Sequence, residues 1–411
     1  RVYFYKDKNM KRFFASYNVG YGTNGYYDKF YYRDKPYHVN PAIAHFLEHM
    51  LIETSPNGNM LLKYMDENYD TNGSTYPEVT SYYFVAIDSE EKTKNALKEL
   101  IEMVERPVFT EENIEKVKHA IVEELKRTGD NIYQVARSAN RHNTYKNYDP
   151  VPVNNNVLGS IETTNAITLE EAKVCYDAYY SDENKFLVIG GNIDIDDYVK
   201  YLESIFKDIP QHKNELKEYN YSDEMDTRTD REVLNLPTDA DYCLVTYKIK
   251  NDFNIDLLKL DLYLHFYLSL KLDTSTKFIE ELVKNNYIIR NISYAADFFK
   301  GVIAITFAFN SYNVDDALDA LDKELNMVGL DKEEFELLKR EMIAGEIRRQ
   351  DNIYKQLGRF PLAIDFTEHI SDIDLIKSIT YEEMIEVISK FEFNTKTTTV
   401  VKDLSKLEQK S

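Results

Sequence analysis

Apolar and polar residues follow two different periods along the chain, and segments of the two kinds alternate. Short runs that are apolar at every position or at every second position predict strands, whereas apolar residues recurring every three or four positions predict helices that bury one side. The predicted strands lie at 12–22, 82–88, 185–190, 242–249 and 302–309. The predicted helices lie at 41–52, 90–105, 111–127, 169–180, 196–206, 255–271, 314–327 and 332–349. This succession predicts an α+β fold.

The second half of the sequence repeats features of the first half. The echoed segments are 124–127 with 346–349, 130–133 with 351–354, and 167–171 with 379–383. Between the halves, residues 211–230 are polar, charged and without period, which is typical of a surface linker. We therefore expect an N-terminal domain at 1–210 and a homologous C-terminal domain at 231–411. Each should contain an antiparallel-rich sheet packed against helices.

The first predicted helix contains polar residues that an apolar core would not accept alone. Asn40 and Pro41 are typical of a helix start, because Asn caps free N–H groups and Pro tolerates the first helical turn. At about 100° per residue, His45, Glu48 and His49 fall on one side, while nearly all other positions are apolar. Burying these three groups without partners costs several kcal/mol, so we expect something to satisfy them.

The order His45-x-x-Glu48-His49 matches a known zinc-binding pattern. Two imidazole nitrogens one helical turn apart can bind a tetrahedral Zn²⁺ from the same side, and a glutamate between them can take a proton from the attacking water. The alternative is that both histidines are hydrogen-bonded core residues without a metal. Since a catalytic zinc usually has three protein ligands, a third ligand has to come from elsewhere in the chain.

Glu124 is the candidate for the third ligand. It lies in a predicted helix whose apolar stripe consists of Ile114, Val117, Ile121, Val122 and Leu125. Glu124 projects beside this stripe, whereas Glu123 projects away from it. A buried carboxylate is costly unless it is paired or bound to a cation, so Glu124 would complete a site with His45 and His49. The competing interpretation is an ion pair between Glu124 and a nearby Lys or Arg.

Together these residues resemble the pitrilysin/insulinase family of inverted-motif zinc metallopeptidases. The resemblance rests on His45 to His49 and on Glu124 about 75 positions further along, as in that family. Residues 72–76, followed by 80–84, are similar to the family's strand after the motif helix. The chain is most similar to the bacterial processing-peptidase type, which is built from short two-domain subunits.

The resemblance implies both an architecture and an activity. The two α+β domains would form half of a clamshell, and the activity would be that of a zinc-dependent endopeptidase enclosing short or unfolded peptides. Zn²⁺ would be held by the two histidines and Glu124, with Glu48 as the catalytic base. A peptide would add as a strand through main-chain hydrogen bonds. The edge that receives the peptide would consist of Asn72, Gly73, Ser74 and Thr75.

The chain departs from the family pattern near the third ligand. The family usually has another glutamate two turns before that ligand, and it acts behind the metal site. This chain has Val117 at the corresponding position. Either the support behind the metal site is weaker in this chain, or Glu115 or Glu123 supplies it.

A second departure concerns an Arg and a Tyr that complete family members carry in their second half to hold the substrate. The matching segment here is 282–290, where Val283 and Arg290 stand in their places. Arg290 and Tyr294 could substitute only out of register. We therefore predict a zinc-bearing subunit that forms a heterodimer with a related chain supplying the Arg and the Tyr. A homodimer is the weaker alternative, because both copies would lack the Arg and the Tyr.

A degenerate copy of the zinc motif lies about 220 residues after the first. His265 to Ser269 corresponds to His45 to His49 and keeps only the first histidine. We interpret His265 as a hydrogen-bonded core histidine, and Glu346, the counterpart of Glu124, as a structural acid. One half is expected to do the chemistry and the other to build the wall of the chamber.

Composition narrows the classes of function. The net charge is −21, which argues against nucleic acid as a partner, because phosphate binding needs a basic surface. No apolar run approaches the ~20 residues of a membrane span, so no membrane partner is expected. Cys175 and Cys243 are too few for a disulfide framework, and a cytoplasmic location is the default. No signal-peptide pattern follows Arg1, although a removed leader stays open.

Two other functions stay open. The first is a structural or binding subunit that keeps the peptidase fold without proteolysis. The intact zinc motif argues against it, because drift erodes ligands first, as at 265–269. The second is a zinc hydrolase acting on a non-peptide substrate, which fits the motif but not the strand at 72–76 or the repeat. Metal content would separate the first alternative from a peptidase.

Overall fold

Each half of the chain builds a five-stranded sheet that is covered by helices. The computed structural model describes residues 1–23, 28–76, 78–128, 131–146, 159–218, 224–299, 301–327, 329–350, 357 and 373–405. The elements up to residue 218 are β1 (Val2–Lys6), β2 (Phe13–Val19), β3 (Lys29–Tyr32), β4 (Lys35–His38), α1 (Ile43–Glu53), α2 (Met60–Asp66), β5 (Asp70–Thr75), β6 (Thr80–Ala86), α3 (Glu90–Glu105), α4 (Glu111–Thr128), α5 (Ile132–Thr144), α6 (Ile161–Ala166), α7 (Leu169–Tyr179), β7 (Lys185–Gly191), α8 (Ile195–Phe206) and β8 (Leu216–Glu218).

The second half has a corresponding set of elements. They are β9 (Arg231–Asn235), β10 (Asp241–Lys250), α9 (Leu257–Leu272), α10 (Lys277–Lys284), β11 (Ser293–Phe299), β12 (Val302–Ser311), α11 (Val314–Leu325), α12 (Lys332–Gln350), α13 (Ile373–Ser378), α14 (Tyr381–Ile388) and β13 (Thr395–Lys402). None of the described helices combines the length and the apolar character needed to cross a membrane.

The first sheet has the strand order β1-β7-β2-β6-β5. β1 runs parallel to β7, and the other neighbours are antiparallel. β2 and β7 are buried at every position, as expected of apolar central strands. Successive residues of β2 face opposite sides, so Phe13 packs in the main core with α1 and α3, while Phe14 belongs to a cluster on the other face. β5 ends the sheet beside α1.

The second sheet repeats this topology strand for strand. Its order is β9-β13-β10-β12-β11, read from the end that corresponds to β1. Here too the first pair is parallel and the others are antiparallel. The predicted α+β class with two homologous domains is therefore confirmed. β11 is the edge strand of the second sheet and the counterpart of β5.

The compact units exchange segments between the two halves of the sequence. The first unit comprises Arg1–Asp130, Val157–Asn220 and Arg349–Ile370, and the second comprises Asn131–Asn156, Tyr221–Arg348 and Ser371–Ser411. Thus α5 belongs to the second unit, although its neighbours in sequence belong to the first. The boundaries expected at 1–210, 211–230 and 231–411 stay a prediction, and the repeat gave no sign of this exchange.

Described residues of the exchanged segments pack on equivalent faces of the two sheets. In the first unit, Leu357 is fully buried in the cluster that contains Phe14 of β2. In the second unit, Ala136 of α5 packs with Leu244 of β10 and Val401 of β13. The first sheet therefore obtains the buried Leu357, and the second sheet obtains α5, from the other half of the sequence.

Buried polar contacts fix α5 on the second sheet. Asn140 accepts a hydrogen bond of 2.6 Å from the hydroxyl of Thr246 on β10. Lys248, also on β10, is buried, and its ammonium group donates to three main-chain carbonyls, those of Thr144 at 2.8 Å, Glu224 at 2.5 Å and Asp226 at 2.9 Å. These bonds satisfy a charge that would otherwise be costly to bury.

Two local predictions need correction, and one lies outside the described residues. α1 begins at Ile43, because Asn40 accepts a hydrogen bond from the N–H of Ala42 at 3.0 Å and so forms a turn in front of the helix. Pro41 lies in this turn. The segment expected to be an irregular linker contains β8, which pairs with β3. The second copy of the echo, 351–354, is outside the described residues.

We predict that Lys248→Met destabilises the protein strongly. The substitution leaves three carbonyls without their donor, and each unsatisfied buried group costs about 1–3 kcal/mol. A loss of about 3 kcal/mol would lower the melting temperature by roughly 6–12 °C in a unit of this size.

Lys250→Met is the matched control, because Lys250 is exposed and pairs with Asp252 at the surface. It should shift the melting temperature by no more than about 2 °C. Equal melting temperatures for the two variants, measured by differential scanning fluorimetry, would contradict the assigned role of Lys248.

Candidate metal centre

Two packed helices of the first unit carry the candidate ligands. α1 is buried along most of its length, so its orientation is fixed by the core on several sides. α4 packs against α1 and places Ile114, Val117 and Ile121 in the same core. Lys116 of α4 donates a hydrogen bond of 3.1 Å to the main-chain carbonyl of Glu53, the last residue of α1. The two helices are therefore joined by apolar packing and by this bond.

His45, His49 and Glu124 bring one ligand atom each to a common point. The Nε2 atom of His49 lies 3.3 Å from Oε2 of Glu124, and the Nε2 atom of His45 lies 3.9 Å from the same oxygen. The three atoms all lie within 4.8 Å of one another. A tetrahedral zinc ion with bonds of about 2.0–2.2 Å needs ligand atoms about 3.3–3.6 Å apart. The donor set suits zinc, and ligand atoms that are now up to 4.8 Å apart would have to move closer together to bind it.

The two adjacent glutamates of α4 face different surroundings. Glu124 is directed at the two histidines. Glu123 is exposed and forms a surface ion pair of 2.7 Å with Lys126. The apolar stripe of α4 predicts this difference between the positions of Glu123 and Glu124.

Without a metal, charge is distributed unevenly among these groups. Burial lowers the pKa of His45 far below its usual value, and the neighbouring His49 adds to the effect. Burial also opposes a charge on His49, but Glu124 and Glu53 outweigh it and raise its pKa. The hydrogen bond with His49 lowers the pKa of Glu124. Glu124 is thus kept ionised, as a ligand of a cation has to be.

Glu48 lies beside these three residues but is held by a different partner. Its Oε2 atom accepts a hydrogen bond of 2.5 Å from the hydroxyl of Thr75 on β5. The side chain is buried, and burial raises its pKa above the usual value for a glutamate. Glu48 is therefore a carboxyl group of increased basicity, fixed in orientation by the edge strand.

Gly73 allows β5 to approach α1 closely. A Cβ atom at this position would lie 2.4 Å from Cδ1 of Ile52 and 2.5 Å from Oε1 of Glu48. Contacts this short require the neighbouring side chains to move. The absence of a side chain at Gly73 is therefore coupled to the position of the Glu48 carboxylate.

A cavity of about 470 Å³ opens over the ligands. Its wall includes all four residues that the sequence assigned to the substrate edge, namely Asn72, Gly73, Ser74 and Thr75. Ile52 and Leu61 contribute apolar surface, and Glu53 contributes a further carboxylate. The cavity thus joins the candidate ligands, the candidate base and an edge strand in one place.

Arg290 and Tyr294, the other predicted substrate residues, lie in the second unit. Arg290 is exposed and lines a separate cavity of about 600 Å³ together with Tyr133 and Tyr242. Neither Arg290 nor Tyr294 is among the described residues that line the cavity over the ligands. Their assignment to the substrate stays a prediction.

In the second unit, Tyr294 contacts both polar residues of the degenerate motif. Its hydroxyl lies 2.9 Å from Nδ1 of His265 and 3.0 Å from Oγ of Ser269. The expectation of a core position for His265 is wrong, because the residue is exposed on α9, although its ring is hydrogen-bonded. Glu346 is buried, as a structural acid would be.

Sequence reasoning missed Glu53. Its Oε1 atom lies 2.8 Å from Nδ1 of His49. The available signal was its place four residues after His49, since such pairs meet on a helix. The two glutamates that the sequence offered for a supporting role do not contact the ligands but pair with lysines. Glu115 pairs with Lys118 and Glu123 with Lys126.

We predict that Gly73→Val displaces the Glu48 carboxylate and Ile52. Because the atoms in the way are the ends of two side chains, overpacking should cost about 1 kcal/mol, the low end of its usual range, and the melting temperature should fall by about 2–4 °C. Gly345→Ala is the control, because nothing lies within 4 Å of a Cβ there, and alanine stabilises a helix interior by about 0.5–1 kcal/mol. A Gly73→Val protein that melts as the wild type does would disprove the close packing described here.

Comparison with known proteins gives consistent relatives. The model for insulinase (peptidase family M16) matches residues 38–156, and the model for the peptidase M16 inactive domain matches residues 166–342. The uncharacterized zinc protease YmfH of Bacillus subtilis is 26% identical over 95% of this chain and 91% of its own length. The non-peptidase homolog YmxG of Helicobacter pylori is 23% identical over 76% of this chain and 72% of its own length.

Solved structures agree on the fold. The crystal structure of an M16-like protein from Alicyclobacillus acidocaldarius superimposes with a TM-score of 0.85 at 19% identity, over 97% of this chain and 95% of that one. At this identity the likeness concerns the fold alone. The two family models, however, cover most of the sequence in the order expected of two homologous domains. The chain therefore belongs to the pitrilysin/insulinase family of peptidases, M16.

Proposed function

We propose that this chain is a zinc-dependent endopeptidase that cleaves short or unfolded peptides. The observation that carries the proposal is the convergence of His45, His49 and Glu124, whose ligand atoms lie within 4.8 Å of one another. The buried Glu48 beside them supplies the group that the chemistry needs in addition. Names of relatives support the same activity, since YmfH is called a zinc protease.

His45, His49 and Glu124 would hold the zinc ion. When bound, the ion supplies a Lewis acid that polarises a carbonyl and makes water more acidic. Glu48 would accept the proton of the attacking water and pass it to the leaving amine. Because Thr75 binds Oε2 of Glu48, Oε1 is the atom at which this proton would be held. The raised pKa of Glu48 suits a group that must take and return a proton near neutral pH.

β5 would bind the substrate. It is the last strand of its sheet in the described topology, so one of its sides faces away from β6. An extended peptide can pair with such an edge through main-chain hydrogen bonds, which gives affinity with little dependence on sequence. Asn72 is exposed on this strand and lines the cavity, where it could orient the peptide near the ligands.

We further propose that the chain works with a second, related subunit and that it resides in the cytoplasm. The second unit lacks the family's Arg and Tyr in register, and the hydroxyl of Tyr294 is already bound by His265 and Ser269. A partner that keeps the Arg and the Tyr would complete the catalytic chamber. The cytoplasmic location rests on the two cysteines, both of which are buried free thiols.

A subunit without peptidase activity is the second candidate function. The observation in its favour is the relative from Helicobacter pylori, which is named a non-peptidase homolog. Such a subunit would need no metal ligands. Zinc content and turnover separate the two functions.

The proposed activity predicts that the purified chain binds about one zinc ion and that the Glu48→Gln variant keeps the ion but loses activity. Removal of a general base lowers kcat by about 10²–10⁴. Metal analysis and cleavage of an unstructured fluorogenic peptide measure the two effects. Full activity in Glu48→Gln would exclude Glu48 as the base.

Glu124→Gln and Glu123→Gln form a matched pair of variants for the ligand assignment. Glu124→Gln should lose zinc, whereas Glu123→Gln should retain it, because only Glu124 faces the histidines. The reverse result would overturn the placement of the third ligand.

The second prediction is that the isolated chain is a poor peptidase and that a related subunit activates it. The loss of one donor that stabilises the transition state costs about 10²–10³ in rate. The assay compares the chain alone, the chain with a co-purified partner, and Arg290→Ala and Tyr294→Ala variants. Rapid cleavage by the isolated chain that survives both substitutions would eliminate the proposal of a divided site.

A further inference from the structure

Glu53 contacts one candidate metal ligand, His49, but is not itself one of the three candidate ligands. It is the last residue of α1, one helical turn after His49. Its Oε1 atom lies 2.8 Å from Nδ1 of His49, whereas the Nε2 atom of the same ring faces Glu124. Glu53 and Glu124 therefore contact opposite nitrogens of one imidazole.

This arrangement determines which nitrogen can bind a metal. A neutral imidazole carries a single proton, and the nitrogen without the proton is the one that donates electrons to a metal. A carboxylate at Nδ1 accepts the N–H hydrogen bond there and leaves the lone pair on Nε2. A carboxylate at the position of Glu53 would therefore favour the form of His49 whose unprotonated Nε2 is directed at Glu124 and His45.

His45 is oriented in another way. It is buried, and no described residue provides a hydrogen-bond partner for its Nδ1 atom. Core packing around α1 holds this ring. The side chain of His49 is 22% exposed against 7% for His45, so packing confines His49 less and the bond to Glu53 contributes more.

Glu53 is itself held in place by the helix that carries the third ligand. Lys116 of α4 donates to its main-chain carbonyl at 3.1 Å. The side chain of Glu53 is 18% exposed, which limits competition from water. By contrast, Val117 offers no polar atom, while Glu115 and Glu123 are paired with Lys118 and Lys126. Among the described acids, Glu53 is the one hydrogen-bonded to the outer nitrogen of a ligand histidine.

We propose that Glu53 is a positioning residue for the metal site, which fixes the tautomer and the ring orientation of His49. The proposal rests on the proposed function, because it assumes that His49 binds zinc. A carboxylate behind a histidine ligand typically contributes a factor of 10–100 to metal affinity. The contribution should be lost with the carboxylate and partly kept when an amide oxygen remains as acceptor.

The test measures the zinc affinity of the metal-free full chain by competition with a chelator. Glu53→Ala should weaken binding by about 10–100-fold, and Glu53→Gln should weaken it less. Glu123→Gln is the matched control, because it removes one charge next to Glu124 without contacting a ligand. The control should bind zinc within about threefold of the wild type.

A second readout separates positioning from a general effect on stability. In the zinc-bound protein, the Nδ1 proton of His49 should give a downfield resonance that Glu53→Ala abolishes and Glu123→Gln retains. Glu53→Ala binding zinc as tightly as the wild type would overturn the inference, as would equal losses in Glu53→Ala and Glu123→Gln. A wild-type chain that binds no zinc would instead refute the proposed function, and this inference with it.

Discussion

The first unit is organised around the cost of burying charge next to an apolar helix. α1 places His45 and Glu48 among residues such as Phe46 and Leu47 that are fully buried, where unpaired ionisable groups would be strongly destabilising. The surrounding elements provide the compensation. α4 brings Glu124, β5 brings the hydroxyl of Thr75, and the end of α1 brings Glu53. Each of these elements therefore lies where it can supply a partner to a polar side chain of α1.

The sequence was sufficient for those features that repeat with a regular period. The zinc motif, the buried side of Glu124 and the long helices follow from helical periodicity, and central strands such as β2 and β7 follow from continuous apolar runs. Shorter and more polar elements could not be predicted from periodicity. β5 was found only through its resemblance to a family, since Asp70, Asn72 and Ser74 give it no apolar pattern. Edge strands of this kind are determined by pairing with their neighbour, which a local pattern does not encode.

The sequence indicated part of the candidate site as a set of residues, but it missed Glu53 and gave none of the contacts. Nothing in the order of residues tells that Thr75 binds Glu48 or that Gly73 is needed for the same approach. Both facts depend on how closely β5 lies against α1. The second unit has the same fold without the candidate catalytic residues of the first. In the second unit, the counterpart of the base is Leu268 and that of the second histidine is Ser269, and Tyr294 binds to what is left.

The exchange of segments between the units also affects how the protein is made. The face of the first sheet that contains Phe14, Val85, Phe186 and Val188 obtains its buried partner Leu357 from far along the chain. Leu357 leaves the ribosome roughly 170 residues after Val188, which at about 5–20 residues per second corresponds to about 10–30 s of synthesis. During that interval all five strands of the first sheet have been synthesised, but Leu357 has not, so this apolar face lacks that buried partner.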